Sequence, residues 1–508
     1  MPISPRTPVL VGVGQFTERI DDPAYRGMSS VDLAAAAAAA ALADTAASAS
    51  VGQAVDTIVG IRQFEISGRG APPLGCSTNY PRSVASRVGA APARAVLEPI
   101  GGQGPQHVLT EFAGAIAAGA ADVVLVVGSE NGSTLRYFAN RDDKPDHSET
   151  IEGQLEDRGY GYEGLFDDYT VAHGLLGAPA QYGLLENARR AKVGLTVSDY
   201  RRSMAELFAP FAKVAAKNPF SASAAERTVE EILTVDSDNR MICDPYLRLL
   251  VARDQVNQGA AAVLMSVEAA RRLGVPPEKW VYLRGHADLI DQSLLDRDDL
   301  GFNSASILAV HEALTVAGIG LDDIATFDLY SCFPVPVFNF CDGMGLATDD
   351  PRGLTLTGGL PYFGGPGNGY SLHGIAETVG RMREAPGAFG LVAANGGIMS
   401  KYSVGVYSTS ATDWVPDNSA ELCAQVNAKP ATPVSVRPDG TATIETYTVR
   451  YDWPVRTGIV VGRLDSDNSR FLALVDDENL VELLSHGEPL GARITVLPTE
   501  KGNRAVPA

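Results

Sequence analysis

The chain has 508 residues, of which 45% are hydrophobic and 20% are charged, and its formal net charge is −20. That length predicts two to four domains of about 100–200 residues each. The negative charge argues against nucleic acid and against an anionic membrane surface as partners, because both attract basic surfaces. A small anionic ligand stays compatible, since a basic pocket can lie inside an acidic protein.

The five cysteines are scattered and form no CxxC pair: Cys76, Cys243, Cys332, Cys341 and Cys423. An odd number in a long chain predicts a reducing compartment, so we expect a cytoplasmic protein without disulfides. Residues 1–7 lack an apolar signal core, and the Leu/Ala run 33–43 is too short to span a bilayer. The seven histidines show no metal-ligand spacing, so no metal is expected.

Short apolar runs alternate with helical patterns in the first 130 residues. The run ADVVLVVG, ending at Gly128, is typical of a strand buried on both faces. The pattern predicts an α/β fold, with strands at 9–13, 55–61, 95–100 and 121–128 and helices at 30–47 and 105–118.

Charged residues, Tyr and Gly dominate from about 130 to 245, which indicates an insertion with helices at 180–193 and 197–215. Its basic residues are either ligands for a phosphate or part of a solvated helix face: Arg201, Arg202, Lys213 and Lys217. Strand character resumes at 259–267.

A second α/β pattern follows, with strands at 281–284, 326–330 and 388–394 and helices at 305–317, 335–345 and 372–384. This second α/β pattern repeats the first α/β pattern at one place. GGQGP at 101–105 precedes a helix, a strand and Asn131-Gly132, and GGPGN at 364–368 precedes a helix, a strand and Asn395-Gly396. The spacings of 30 and 31 residues favour a duplicated domain over chance resemblance.

The two repeated helices differ in polarity. The helix at 105–118 is apolar nearly all round, which predicts burial on every side. The helix at 372–384 keeps a polar face of His373, Glu377, Arg381 and Glu384.

The last part of the chain has strand patterns at 441–449, 458–464, 470–475 and 493–497, with turn signals between them. It lacks the basic, aromatic groove of a nucleic-acid-binding barrel, so we expect a docking or lid role. The predicted domains are residues 1–275 with an insertion at about 130–245, residues 276–412, and a small all-β domain at 413–508.

Several segments resemble the thiolase superfamily, nearest to the sterol-carrier-protein type and the actinobacterial thiolase-like proteins of type 1. They are AGAIAAGAADVVLVVGSENGS, DPYLRLLVARDQVNQGAAAVLMSVEAARRLG, DLYSCF, GGP at 364–366 and NGG at 395–397. The resemblance covers residues 5–410. It implies two similar halves in five αβαβα layers, a loop domain that helps to bind coenzyme A, and an additional OB-like C-terminal domain.

The resemblance also implies that catalytic groups are missing. It places the nucleophilic cysteine on Gly102, the histidine of the family's GHP motif on Gly365 and the second cysteine on Asn395. A glycine-rich helix N-terminus still offers N–H donors for a thioester oxygen, but it cannot form an acyl-enzyme. The alternative is that these loops only fill a former active site.

Tyr330 lies where relatives carry a His or Asn that orients the catalytic water. Its phenol can donate to a thioester oxygen, or act as a base if its pKa lies well below about 10. The alternative is a half-buried strand residue whose hydroxyl is bonded to the backbone.

The other candidate site residues have weaker support in the sequence. Gly12 and Gly14 hint at a dinucleotide loop, but the pattern fails at Thr17. Cys332 is either a reactive thiol or a buried structural one. His107 and His373 lie just inside the repeated helices and either face the site or pack in the core.

These observations predict an acyl-CoA-handling protein, similar to acetyl-CoA acetyltransferases of lipid metabolism, without ordinary thiolysis or Claisen condensation. The alternatives are a non-covalent retro-aldolase acting on β-hydroxyacyl-CoA, a CoA-ester binding module without turnover, and ordinary thiolase activity through an unexpected residue. CoA or acyl-CoA is the expected ligand, no cofactor is expected to be bound permanently, and both a homodimer and a monomer remain open.

Overall fold

The computed structural model describes residues 3–68, 70–163, 165–452 and 454–508. The strands in chain order are β1 (Pro8–Thr17), β2 (Thr57–Ile61), β3 (Arg94–Glu98), β4 (Val123–Glu130), β5 (Glu156–Asp157), β6 (Met241–Cys243), β7 (Tyr246–Leu247), β8 (Gln258–Ser266), β9 (Tyr282–Ile290), β10 (Ile324–Leu329), β11 (Phe389–Gly396), β12 (Lys401–Ser408), β13 (Gly440–Asp452), β14 (Val455–Leu464), β15 (Arg470–Val475), β16 (Arg493–Leu497) and β17 (Arg504–Pro507).

The helices in chain order are α1 (Ser30–Asp44), α2 (Val51–Ala54), α3 (Tyr80–Arg87), α4 (Gly104–Ala117), α5 (Gly132–Phe138), α6 (Asp168–Ala172), α7 (Ala178–Val193), α8 (Val197–Ala215), α9 (Val229–Leu233), α10 (Val267–Arg272), α11 (Ser304–Ala317), α12 (Pro334–Met344), α13 (Tyr370–Glu384), α14 (Ser419–Asn427) and α15 (Glu478–His486). Among these described helices, none combines the length and hydrophobicity that a bilayer span requires.

Two sheets repeat one arrangement, which confirms the predicted duplicated α/β fold. The first has the order β1–β8–β4–β2–β3–β5 and the second the order β10–β11–β12–β9. In the first sheet, β2 and β4 are parallel, and β4–β8 and β8–β1 are antiparallel. In the second sheet, β10 and β11 are parallel, and β11–β12 and β12–β9 are antiparallel. Every residue of β4 is buried, as its β-branched sequence predicts.

Helices α4 and α13 pack against each other and against both sheets, while α1 and α11 cover the outer faces. The order is therefore αβαβα. Helix α4 is buried as predicted, but the polar face of α13 is only partly solvated. His373 is 1% exposed, and its Nδ1 hydrogen-bonds Gln15 Oε1 at 2.7 Å.

The insertion closes two edges of the fold. Strand β5 pairs with β3, where an uncovered edge strand would be free to pair with another chain. The hairpin β6–β7 extends the C-terminal sheet, where Cys243 pairs with Arg450.

The C-terminal strands β13, β14, β15, β17 and β16 close into a barrel, because β14 and β16 both pair with β13. Helices α14 and α15 are additions to the all-β unit predicted at 413–508, and of the two α15 packs into the core of the barrel. Asp477 caps its N-terminus, and Leu480, Val481 and Leu484 face inward at helical spacing. Before the barrel, Trp414 stacks on His286 with 4.2 Å between ring centroids, so the connecting segment is fixed to the core.

Candidate active site

A cavity of about 890 Å³ lies between the two halves and the insertion, and Gly102, Tyr330, Gly365 and Asn395 all line it. Tyr330 follows β10 and Asn395 is near the end of β11. These strands are parallel neighbours, so their carboxyl ends meet at one edge of the sheet. Gly102 and Gly365 precede α4 and α13, the repeated central helices. The four positions singled out in the sequence therefore come together in one cavity.

The two repeated glycine loops are bonded to each other. The Gly101 N–H donates to Asn368 Oδ1 at 2.9 Å, and Asn368 Nδ2 donates to the Arg62 carbonyl at 2.7 Å. Ser371 Oγ donates to the Gly102 carbonyl at 2.5 Å. These buried bonds fix the main chain at the inner end of the cavity.

Tyr330 fills the space next to Gly102. A Cβ atom placed on Gly102 would overlap the Tyr330 hydroxyl oxygen and Cζ, and it would lie 2.6 Å from the Asn395 carbonyl oxygen. The phenol therefore occupies the volume into which a side chain at position 102 would project. Only glycine fits at this position while Tyr330 is present.

The Tyr330 hydroxyl is an open hydrogen-bond donor. The side chain is half-buried, and its hydroxyl has no hydrogen-bond partner among the residues that the structure describes. Burial, followed by the nearby Cys332, raises the pKa of Tyr330 well above its ordinary value. Tyr330 is therefore protonated at neutral pH. The base role considered from the sequence would need a lowered pKa, so the geometry favours the donor role.

A second donor lies beside it. The Gly102 N–H has no partner within the described ranges and precedes α4, whose N-terminal end favours negative charge. A Cβ atom on Gly396 would overlap Gln103 Oε1 and lie 3.0 Å from this nitrogen, so the Gln103 amide oxygen fills the space on that side. Gly102 and Tyr330, each with a donor that has no described partner, therefore lie close together on the lining of the cavity.

The other polar groups of the inner end are also uncharged at neutral pH. Asn395 Nδ2 donates to the Tyr182 hydroxyl at 3.0 Å. Burial raises the pKa of the Cys332 thiol to about 12, so Cys332 is a protonated, structural neighbour and not a thiolate. Burial likewise raises the pKa of Tyr182 and Tyr362.

Three arginines without a carboxylate partner among the described residues also line the cavity: Arg240, Arg248 and Arg253. Arg240 and Arg248 are exposed and mark its outer end, whereas Arg253 is partly buried and its main-chain oxygen accepts from the Gly365 N–H at 2.7 Å. Arg240 and Arg248 donate only to the main-chain oxygens of Met241 and Asp238. Burial, and then Arg248, lower the pKa of Arg253.

The basic residues considered from the sequence lie outside this cavity. Arg201 pairs with the buried Asp244 at 2.9 Å, and Arg202 pairs with Glu230 at 3.1 Å. Lys213 and Lys217 are exposed. No sequence signal separates these four residues from Arg240, Arg248 and Arg253, because the partner of each cation is fixed only by the fold.

Neither candidate histidine faces the cavity. Burial lowers the pKa of His373 to about 3, so it is a neutral core residue. Burial alone would lower the pKa of His107, but a hydrogen bond to Asp288 and the carboxylates of Glu98 and Glu111 outweigh it and raise the pKa to about 9. Glu98, His107 and Glu111 are close enough to ligate a metal, yet Arg158 already bonds both carboxylates at 3.0 and 2.6 Å.

A buried carboxyl lies one helical turn beyond Tyr182. Glu186 accepts hydrogen bonds from the Tyr200 hydroxyl at 2.5 Å, the Tyr246 hydroxyl at 2.7 Å and the Val335 N–H at 2.9 Å. Burial outweighs these donors and raises the pKa of Glu186 to about 7.

Glu186 is expected to make the free energy of unfolding fall as the pH rises from 4.5 to about 7. Its pKa is higher in the folded chain, which therefore binds more protons in this window than the unfolded chain. Urea unfolding across this range should show a steeper fall in the wild type and in the exposed control Glu206→Gln than in Glu186→Gln, where other buried carboxyls such as Asp328 still contribute. Parallel profiles for all three proteins would contradict this assignment.

Comparison with known proteins agrees with this architecture. Residues 421–501 match the family described as the thiolase-like protein type 1 additional C-terminal domain. The chain is 26% identical over 300 residues to mitochondrial acetyl-CoA acetyltransferase B of Xenopus laevis, covering 56% of this chain and 66% of that protein. It is 35% identical over 146 residues to the mitochondrial acetyl-CoA acetyltransferase of Mus musculus, covering 28% of this chain and 31% of that protein.

Two solved structures extend the comparison. The aldolase Ltp2-ChsH2(DUF35), with 21% identity and a TM-score of 0.58 over 80% of this chain and 98% of its own, shares the fold. A monomeric SCP2-thiolase-like protein type 1 from Mycobacterium smegmatis is 61% identical over the full length of both chains, with a TM-score of 0.88. The chain therefore belongs to the SCP2-thiolase-like protein type 1 family of the thiolase superfamily.

Proposed function

We propose that the protein binds coenzyme A thioesters in this cavity without forming an acyl-enzyme. The observation that carries the proposal is that two kinds of group line one cavity. The inner part has two donors with no described partner, the Gly102 N–H and the Tyr330 hydroxyl, and the lining also has three arginines that form no ion pair with any described carboxylate.

The inner end suits a thioester carbonyl. Two donors lie close together, as in sites that bind a carbonyl oxygen or the enolate derived from it. No covalent intermediate follows, because Gly102 has no side chain and the Cys332 thiol is protonated. Thiolysis and Claisen condensation of acetoacetyl-CoA through a thiolate are therefore not expected.

The outer end suits the phosphates of coenzyme A. Guanidinium groups bind phosphate through charge-assisted, often bidentate hydrogen bonds. Arg240, Arg248 and Arg253 keep their donors available because the described carboxylates near them form no ion pair with them. The same lining carries the carboxylates of Glu230, Glu231, Asp236, Asp238 and Asp254, so the anion site rests on these individual guanidinium groups and not on a net positive charge of the cavity.

Replacing Arg240 and Arg248 together by alanine is expected to weaken coenzyme A binding by at least about 100-fold, since hydrogen bonds to charged groups contribute about 1.5–3 kcal/mol each and two are lost. Isothermal titration calorimetry measures the effect. Lys217→Ala removes an exposed charge of the insertion outside the cavity and should bind like the wild type.

Pantetheine, which lacks the phosphates, should bind the wild type and the double variant equally. If coenzyme A neither binds the wild type nor raises its melting temperature, the proposed function is wrong. If the double variant binds coenzyme A as well as the wild type does, the arginines are not the phosphate site.

Retro-aldol cleavage of a β-hydroxyacyl-CoA is a second candidate, favoured by Asn395 Oδ1, a buried acceptor with no described partner on a residue that lines the same cavity as Tyr330. This reaction breaks the Cα–Cβ bond after the β-hydroxyl proton passes to a base. The titratable groups that line the inner end within the described ranges are protonated at neutral pH, so none of them can act as this base. Binding without turnover is therefore preferred over retro-aldol cleavage. Formation of acetyl-CoA and acetaldehyde from 3-hydroxybutyryl-CoA would reverse that order.

A further inference from the structure

Three side chains of metal-ligating type meet beside helix α4. His107 and Glu111 lie one helical turn apart on α4, and Glu98 is the last residue of the strand β3. One ligand atom from each residue lies within 4.8 Å of the other two. An imidazole nitrogen with carboxylate oxygens matches the donor sets that bind Zn²⁺ in proteins.

A carboxylate from the other half of the fold orients the His107 ring. Its Nδ1 lies 3.4 Å from Asp288 Oδ1 on β9, and Ser403 Oγ donates to the same oxygen. Metal-ligating histidines bond a carboxylate through one ring nitrogen in this way, which fixes the tautomer and leaves the other nitrogen for the metal. In His107 that other nitrogen is Nε2.

The space in front of Nε2 requires a cation. Nε2 lies 3.8 Å from Glu98 Oε1 and 3.9 Å from Glu111 Oε2, too far for hydrogen bonds. Two ligand atoms that each lie about 2.0–2.2 Å from a zinc ion can be separated by about 4 Å. A neutral ring would point its Nε2 lone pair at two carboxylates, so either a proton or a metal ion belongs between them.

Arg158 leaves room for such an ion. It bonds Glu98 through Oε2 at 3.0 Å, and Glu98 Oε1 accepts no hydrogen bond from any residue whose placement the structure describes. It also bonds both oxygens of Glu111, at 2.6 and 2.7 Å, but each carboxylate oxygen has a second lone pair. The side chains of His107 and Glu111 are 38% and 34% exposed, so an ion can enter from solvent.

We propose that Glu98, His107 and Glu111 form a zinc-binding site in which water completes the coordination and Asp288 is a positioning residue. The ligands come from β3 and α4 and the positioning residue from β9, so a bound ion would link the two halves and stabilise the folded chain. The three ligands lie outside the described lining of the cavity, and this inference is independent of the proposed function.

Isothermal titration calorimetry of the full, chelator-treated chain with ZnCl₂ tests the site. The wild type should bind one Zn²⁺ and gain melting temperature, whereas MgCl₂ should bind far more weakly because Mg²⁺ prefers oxygen ligands only. Asp288→Asn should weaken zinc binding by about 10–100-fold while the stoichiometry stays at one ion, and His107→Gln should weaken it by more. His486→Gln is the control, because this exposed histidine contacts the single carboxylate Glu482 at 2.9 Å and should not contribute.

Glu111→Gln carries the test if His107→Gln does not fold, and it too should weaken zinc binding. The inference is overturned if the wild type does not bind Zn²⁺, or if it binds no more tightly than His107→Gln and Glu111→Gln. A loss of zinc binding in His486→Gln would place the ion on α15 and would also overturn it. Coenzyme A binding is measured separately, so none of these results decides the proposed function.

Discussion

Gly102→Ala is expected to lower the free energy of unfolding by about 3 kcal/mol, the cost of forcing an extra carbon into a packed site. The added Cβ would overlap the Tyr330 ring and hydroxyl and lie 2.6 Å from the Asn395 carbonyl oxygen. That oxygen belongs to β11, whose pairing with β12 restricts its movement. Gly102→Cys meets the same obstacle, so one substitution should not recreate a thiol nucleophile.

Gly104→Ala is the matched control, two residues further along the same segment. Its Cβ would meet only Glu98 Cγ at 3.6 Å and the Pro99 oxygen at 4.0 Å, which are ordinary contacts. Urea unfolding of both variants gives the comparison. Equal stability losses at the two positions would show that Tyr330 does not occupy the space beside Gly102.

A double-mutant cycle isolates the contact between the two residues. Tyr330→Ala removes the ring and hydroxyl but leaves the Asn395 oxygen, so Gly102→Ala should cost less in that background without becoming neutral. The difference is the coupling energy of the pair. Additive costs would mean that the two residues are independent.

The convergence of Gly102, Gly365, Tyr330 and Asn395 in one cavity could be predicted from the sequence, for a physical reason. Each glycine loop precedes a central helix, and Tyr330 and Asn395 end parallel strands, so the duplicated order of elements determines that they converge. It could not predict that Tyr330 occupies the space beside Gly102. That fact depends on a side-chain direction and on distances between the two halves.

The sequence could not predict, for a related reason, which arginines line the outer end of the cavity. The sequence shows Arg201 and Arg240 as equivalent basic residues of one insertion. Only the fold brings Arg201 to Asp244, which removes it from ligand binding, and leaves Arg240 without a carboxylate. Charge pairing across long sequence separations is a tertiary property.

The C-terminal domain shows which elements a pattern search misses. Strands β13 to β16 alternate clearly and were predicted close to their observed bounds. Helix α15 was missed although Asp477 caps it and Leu480, Val481 and Leu484 lie at helical spacing. A search restricted to strand periodicity does not detect it. Strand β17 has four residues, too few for alternation to be distinctive.

A buried arginine is one of the contacts that hold the barrel to the core. Arg470 on β15 is fully buried, and its Nε and Nη2 donate to Glu445 on β13 at 3.0 and 2.7 Å. Its Nη1 donates to the Leu295 carbonyl at 2.7 Å and to the Arg297 carbonyl at 2.5 Å, both in the C-terminal half. One guanidinium therefore joins two barrel strands to the core.

Arg470→Met is expected to lower the free energy of unfolding by about 1–3 kcal/mol, because the buried carbonyls of Leu295 and Arg297 lose their donor while Glu445 keeps its ion pair with Arg463. Arg504→Met is the control. Its ion pair with Asp476 is exposed, with side-chain exposures of 27% and 65%, and exposed pairs contribute about 1 kcal/mol or less. Urea unfolding gives both values, and limited proteolysis of the barrel should quicken only in Arg470→Met. If the two variants are equally stable, the Arg470 contacts do not hold the barrel in place, and apolar burial around β13 and α7 must hold it instead.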